Sequence, residues 1–334
     1  MFSLVTRFPA RAACLALVAA SAVSLPVPQA QAQPLPAPLV ASTLRESDAR
    51  VAAIAYRLAR MGKALCPETH PLTGMLFHHL AEYGLADRAL MIERYALNRG
   101  PGILTVLADT PAARAGLKAG DVLLTIGGQP LTSGAVIAAE AKRTVWRKRV
   151  EAEEARLEAA LRQGPVPLKV LRAGQSIEVT LDSEPGCYGK VRLARSTQVN
   201  AFASGSTVIM TTAMLDFLKS DDEVAVVLGH ELSHNILKHP DLLDDQGVPR
   251  KGIFRGIGKN ASRVWKTEEE ADRFGIRLVW RAGYDVNAAI PFWRRYLGRY
   301  DALPQIFRTH PSLSVRERIT REEIAALAQA APTP

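Results

Sequence analysis

Residues 226–235 read VVLGHELSHN, and three side chains in that otherwise apolar run can do chemistry: His230, Glu231 and His234. Side chains four positions apart stand on one helix face, so the two imidazoles can meet one tetrahedral metal ion, for which zinc is the natural candidate. Glu231, one step round the helix, can reach water held at the same place and act as its general base. A purely structural role for all three would need three satisfied polar partners inside an apolar helix, a costly arrangement. A catalytic zinc also wants a third protein ligand. The position six residues after His234 holds Pro240, and His239 is off by one. A second stretch, WKTEEEADRFG, offers a carboxylate instead: Glu268 and Asp272 lie four apart on one face, so Glu268 can bind the ion while Asp272 orients a ligand histidine. Glu269 and Glu270 point elsewhere by the helical period, and Glu269 can pair with Arg273.

Both stretches need firm helices. Ser220 and Glu223 have capping-box spacing, Asp221 and Asp222 suit a positive helix N-terminus, and apolar residues follow, which predicts a buried helix through His234. Two starts fit the second helix: one at Glu268, capped by Thr267 and Glu270, or one near Ser262, which would seat Glu268 on firmer backbone. The polar, glycine-rich residues 240–262 between the helices read as a loop. Upstream, Val51, Ile54, Leu58 and Met61 recur at helical intervals and predict a helix whose apolar stripe needs a partner. From Gly100 the texture becomes β-rich, with a hairpin turn expected at Ala173-Gly174 and a long charged helix between Ser133 and Pro165. His70, His78 and His79 lie outside every motif and read as structural or exposed.

A chain of 334 residues with 48% hydrophobic content can bury two modest cores. Its formal charge of +9 is interleaved along the chain and accompanies no aromatic-basic platform, which argues against a nucleic-acid partner. Residues 1–32 carry Arg7 and Arg11, a short apolar run and Ala30-Gln31-Ala32, the pattern of a secretory signal peptide and of an exported, periplasmic protein. The lesser alternative is an uncleaved anchor that would keep the protein near a membrane. Removing the leader takes Cys14 away and leaves Cys66 and Cys187, which export would allow to pair.

The run TPAARAGLKAGDVLLTIGG resembles the PDZ domain in the circularly arranged form of bacterial envelope proteases. The resemblance covers residues 96–183, a PDZ domain with a long helical extension, and implies binding of extended polypeptide by strand addition. It makes Gly100, Gly102 and Ile103 the peptide-binding loop, with Pro101 a departure from the family pattern. HELSH, TEEEADRFG, VNAFASGSTVIMTTAML and RTHPSLSVRER together resemble, over residues 184–320 of an expected peptidase domain at 184–334, the gluzincin metallopeptidases of the HtpX, CAAX-prenyl-protease and BepA type. That resemblance implies one Zn2+ per subunit on His230, His234 and Glu268, with Glu231 as base and Asp272 in support. It also places Asn200, Ala201 and Phe202 in a substrate-holding edge strand, and His310 and Arg316 as regulatory or transition-state residues. The expected fold is α+β: a mainly helical gluzincin core with a small edge-strand sheet and a β-rich PDZ domain, preceded by a helical segment at 33–95. The implied activity is endopeptidase action on unfolded or misassembled envelope proteins. The rival reading is a chaperone or adaptor that holds extended polypeptides through the PDZ module.

Overall fold

The computed structural model describes residues 37–131, 143–250, 258–299 and 311–330. The expected leader at 1–32 and His310 lie outside the described residues. The helices are α1 Ala37–Met61, α2 Arg88–Tyr95, α3 Pro111–Arg114, α4 Arg143–Leu161, α5 Thr212–Phe217, α6 Asp221–Ile236, α7 His239–Asp245, α8 Gly258–Arg281, α9 Ala289–Gly298 and α10 Leu313–Ala330. The strands are β1 His70–Leu72, β2 Met75–His78, β3 Gly102–Val106, β4 Val122–Ile126, β5 Gln129–Pro130, β6 Val166–Arg172, β7 Gln175–Leu181, β8 Glu184–Gly186, β9 Val191–Ala194, β10 Ala201–Ala203 and β11 Val208–Thr211.

The β-rich unit is an antiparallel sheet in the order β2-β3-β4-β6-β7, with β5 paired to β4. Alternating side chains Leu168 and Val170 of β6 meet Ile103, Leu123 and Leu181 in a core that Leu157 and Leu161 of α4 close from outside. The β6-β7 hairpin turns where expected, at Ala173 (φ 47°) and Gly174 (φ 79°), the paired left-handed conformations that match strand twist. The sheet also takes in β2, upstream of residue 96, so the 33–95 stretch supplies a strand as well as helices.

The second core is helical. The residues Val224 to Leu228 make α6 apolar all round, and it is buried on every side, as such a helix must be. The predicted stripe of α1 finds its partner here, with Val51, Ile54 and Leu58 in the same core. Beside α6 lies a three-stranded sheet, β10-β11-β9, in which β11 runs parallel to β9 and antiparallel to β10. Residues 240–262 are only partly the expected loop, because α7 and the first turn of α8 occupy both ends. The longer reading of the second helix holds: α8 starts at Gly258, which seats Glu268 well inside it. Among the described residues no helix is long and apolar enough to cross a membrane.

Cys66 and Cys187 form a disulfide across 121 residues, tying the end of α1 to the segment that enters β9. In the chain-entropy model a loop of that size is worth about 4 to 5 kcal/mol. Reduction, or replacement of both cysteines by alanine, is therefore expected to lower the free energy of unfolding by a large part of that amount, read as a shift in urea midpoint with and without reductant.

Candidate metal centre

Local rules set the helix that carries the histidines. Ser220 Oγ accepts the Glu223 amide at 3.3 Å, while the Glu223 carboxylate accepts the Lys219 amide at 2.8 Å and the Arg295 guanidinium at 2.6 Å. The N-terminus of α6 is thereby closed and tied to α9.

The crossing of α6 with α8 brings the ligand set together, and two glycines permit it. A Cβ on Gly275 would stand 2.9 Å from the His230 amide nitrogen and 3.0 Å from the Gly229 carbonyl carbon; one on Gly229 would stand 3.0 Å from the Gly275 carbonyl oxygen. Both contacts are with backbone, so neither can be relieved by a side-chain rotation. Gly275→Val is expected to push the helices apart at a cost of about 1 to 3 kcal/mol and to draw Glu268 away from the imidazoles. Weaker metal retention in a chelator competition, beside a lowered melting temperature, would check this.

At the crossing, His234 Nε2 is 3.2 Å from His230 Nε2. The Glu268 carboxylate lies 3.5 Å from each of those nitrogens, through Oε2 to His230 and Oε1 to His234. All three side chains are buried, and a ligand atom from each falls within 4.8 Å of the others. Zinc ligands at about 2.0 to 2.1 Å in a tetrahedron stand about 3.3 Å apart, so these separations and this two-imidazole, one-carboxylate donor set fit a catalytic zinc with one position left for substrate or water.

Behind the ligands sits a second layer of contacts. Asp272 Oδ1 accepts from His230 Nδ1 at 2.9 Å, and Arg316 grips the same carboxylate through Nε at 2.9 Å and Nη2 at 2.7 Å. The Arg316 guanidinium stacks 3.6 Å from the centre of the Trp293 ring. Burial alone would raise the Asp272 carboxyl, but Arg316 and His230 hold it below the ordinary carboxylate range. Burial and Arg316 both disfavour the His230 imidazolium, yet the hydrogen bonds to Asp272 and Glu268 outweigh them and lift it to about 9 in the metal-free protein.

Glu231 is 9% exposed and borders a cavity of about 20 Å3 that it shares with His230, Arg316, Trp293, Tyr296 and Ala201. The Ala201 in its lining belongs to β10, which among the described residues is one of the two edge strands of its sheet. Asn200 precedes that strand, and Phe202 on it is 45% exposed. The β10-β11 turn is fastened to the histidine helix, since Asn235 Oδ1 accepts the Gly205 amide at 2.8 Å.

The expected PDZ loop is arranged otherwise. Gly100, Gly102 and Ile103 are buried; the Ile103 amide donates to the Asp121 carbonyl at 2.7 Å and the Leu123 amide to the Pro101 carbonyl at 2.8 Å. A Cβ on Gly102 would lie 2.4 Å from His78 Nε2, because β2 covers the flank of β3. Gly100 and Pro101 thus lead into β3, which Gly102 and Ile103 begin, with β4 on one side and β2 on the other. The outer edge of the sheet on that side is β2, where the Phe77 carbonyl accepts from Arg192 at 2.6 Å beside a cavity of about 160 Å3. The three histidines outside the motifs are structural: His70 bonds Glu158 at 2.7 Å, His78 bonds Tyr83 at 2.8 Å, and His79 is buried.

Sequence reasoning missed Gly229, Gly275, Trp293 and, nearest the ligands, His239. Lys238 takes a left-handed conformation (φ 55°) that breaks the helix and turns His239 back until its Nδ1 is 2.9 Å from Nδ1 of His234. Its Nε2 is 3.2 Å from Glu270 Oε2. The Lys238-His239-Pro240 junction, with proline at a helix start, was the available signal.

Comparison with known proteins follows the same lines. A model of Peptidase family M48 matches residues 166–249 and 251–324, and a PDZ domain model matches residues 102–142. The mitochondrial metalloendopeptidase OMA1 of Arabidopsis thaliana is 29% identical over 160 residues, which is 40% of this chain and 31% of that protein. The beta-barrel assembly-enhancing protease of Escherichia coli K12 is 28% identical over 150 residues, 36% of this chain and 31% of that protein. The matched region thus spans about a third of the length of these relatives. The crystal structure of the HtrA3 PDZ domain bound to a phage-derived ligand (FGRWV) aligns with 35% of this chain and 89% of that one, at 18% identity and a TM-score of 0.25.

Proposed function

The C-terminal half of the chain belongs to peptidase family M48, and from that premise we propose that the protein is a zinc-dependent metalloendopeptidase of the bacterial cell envelope that cleaves unfolded or misassembled proteins. The observation that carries the reading is the convergence of His230, His234 and Glu268, from two helices, at the spacing a tetrahedral ion needs and beside the buried carboxylate of Glu231.

Bound zinc would supply Lewis acidity, which polarises a carbonyl oxygen and makes water acidic enough to lose a proton near neutral pH. Glu231 takes that proton and delivers it to the leaving amine. Asp272, itself clamped by Arg316, fixes the ring of His230. Among the described residues no strand pairs with the outer edge of β10, along which an extended substrate lies as an added strand, with Phe202 available to its side chains. Most segments of a folded protein already pair their backbone groups, whereas an unfolded polypeptide leaves them free, which is why unfolded polypeptide is the proposed substrate class. The leader pattern at 1–32 and the Cys66–Cys187 disulfide support export to an oxidising compartment.

The test is metal content and cleavage of a disordered protein such as casein. Wild type is expected to carry one zinc and to cleave; Glu268→Gln is expected to lose both. Wild-type protein without zinc, or cleavage that survives thorough chelation, defeats the proposal.

The edge of β2 over its cavity favours a second, holding role for the β-rich unit. A Glu231→Gln protein that holds an unfolded client as well as wild type does would establish it.

A further inference from the structure

The two ligand histidines are held from behind in different ways. For His230 the partner at Nδ1 is a carboxylate, Asp272, at 2.9 Å. For His234 it is another imidazole: Nδ1 of His239 at 2.9 Å, the rings meeting edge to face with centroids 5.0 Å apart. His239 is 1% exposed, so this contact is made inside the protein and not at its surface.

Two nitrogens at 2.9 Å share one proton, and the surroundings decide which carries it. His234 Nε2 faces the ligand cluster, 3.2 Å from His230 Nε2 and 3.5 Å from Glu268, and can serve a metal only with its lone pair. Its proton therefore sits on Nδ1. His239 must accept that proton's hydrogen bond at Nδ1, which leaves its own proton on Nε2, 3.2 Å from the Glu270 carboxylate that can receive it. In the row Glu270–His239–His234 each imidazole then has one consistent tautomer, with the Glu270 carboxylate as the terminal acceptor.

We propose that His239 is the positioning residue for ligand His234: it accepts the His234 Nδ1–H, fixes that ring's tautomer and rotation, and is itself fixed by Glu270. The inference rests on the metalloendopeptidase reading and deepens it by naming a residue that acts through a ligand without touching the ion. A neutral acceptor supports the ring by geometry and adds no negative charge behind it, unlike Asp272 behind His230.

Zinc affinity of the full chain, measured by competition with a chromogenic chelator, tests this. His239→Phe keeps the ring volume and removes the acceptor, and is expected to weaken zinc binding by about 10- to 100-fold. His239→Asn restores an acceptor oxygen near the Nδ1 position and is expected to recover part of that loss. Equal zinc affinity in His239→Phe and wild type overturns the inference and leaves the metalloendopeptidase reading standing; a wild type that binds no zinc overturns both. Should His239→Phe fail to fold, imidazole 15N spectra of zinc-loaded wild type decide. Protons on Nδ1 of His234 and Nε2 of His239 support the assignment, and any other pair of tautomers overturns it.

Discussion

Glu231→Gln protein is expected to keep its fold and its zinc and to lose cleavage by about 10²- to 10⁴-fold, the usual contribution of a positioned general base. Glutamine has nearly the shape and the helix propensity of glutamate, so α6 has no reason to reorganise. Glu231 is not one of the three candidate ligands, His230 and His234 on its own helix and Glu268 on α8, so the donor set is untouched. What disappears is the capacity to take a proton from water and return it to the amine. The loss should therefore fall on kcat, with KM little changed, because the β10 edge proposed to hold the peptide is intact. Metal analysis, the circular dichroism spectrum and single-turnover cleavage of one disordered substrate separate these quantities. Wild-type cleavage by the variant would remove Glu231 from the reaction, and loss of zinc would show that it serves the metal instead.

The difference between what was legible in the sequence and what was not follows from which rules are local. Capping by Ser220, the i, i+4 spacing of His230 and His234, and the shared face of Glu268 and Asp272 are properties of single helices, and each appears in the structure as expected. The Ala173-Gly174 turn is equally local, since its left-handed pair is chemistry the dipeptide itself prefers. The Gly229–Gly275 crossing is not local: each glycine looks like a weak point in its own helix, and only the other helix explains it. His239 was set aside because it falls one position short of the six-residue spacing tested for a third ligand, and the left-handed Lys238 that turns it back toward His234 is not visible in that spacing. The surroundings of Gly100, Gly102 and Ile103 were not legible for a related reason. Whether a glycine turn is an open loop or an interior one depends on which strand comes to lie beside it, and that strand, Met75–His78, is a short apolar run within a stretch that otherwise reads as helical. Arg316 was placed through resemblance alone, and its surroundings show why an arginine stands there.

Arg316→Met is expected to destabilise the metal-free protein by about 3 to 5 kcal/mol, the range found when one partner of a buried ion pair is removed. Arg316 is 1% exposed, bonds both oxygens of Asp272 and comes within 3.7 Å of Glu268 Oε2. Methionine fills most of the space against Trp293 but leaves two buried carboxylates to share the His230 imidazolium as their one remaining close cation among the described residues. A divalent ion on Glu268 and the histidines would offset part of that charge, so the loss should be smaller in zinc-loaded protein than after chelation. The pH dependence has a definite sign. In wild type Asp272 titrates below its unfolded value of about 3.9, so its contribution is present above that pH and is lost as pH falls through the lower folded value. Without Arg316 most of that contribution is already missing at neutral pH, so the gap between variant and wild type should narrow as both are acidified. Adding Asp272→Asn to Arg316→Met removes one stranded charge and should recover part of the stability, a coupling that independent sites would not show. Urea midpoints of the four proteins in the cycle, with and without zinc at neutral pH and again well below the unfolded carboxylate value of about 3.9, contain all of these comparisons. A gap below about 1 kcal/mol, or one that does not change with acid, would mean that the Arg316–Asp272 pair is not the clamp behind His230 that its geometry describes.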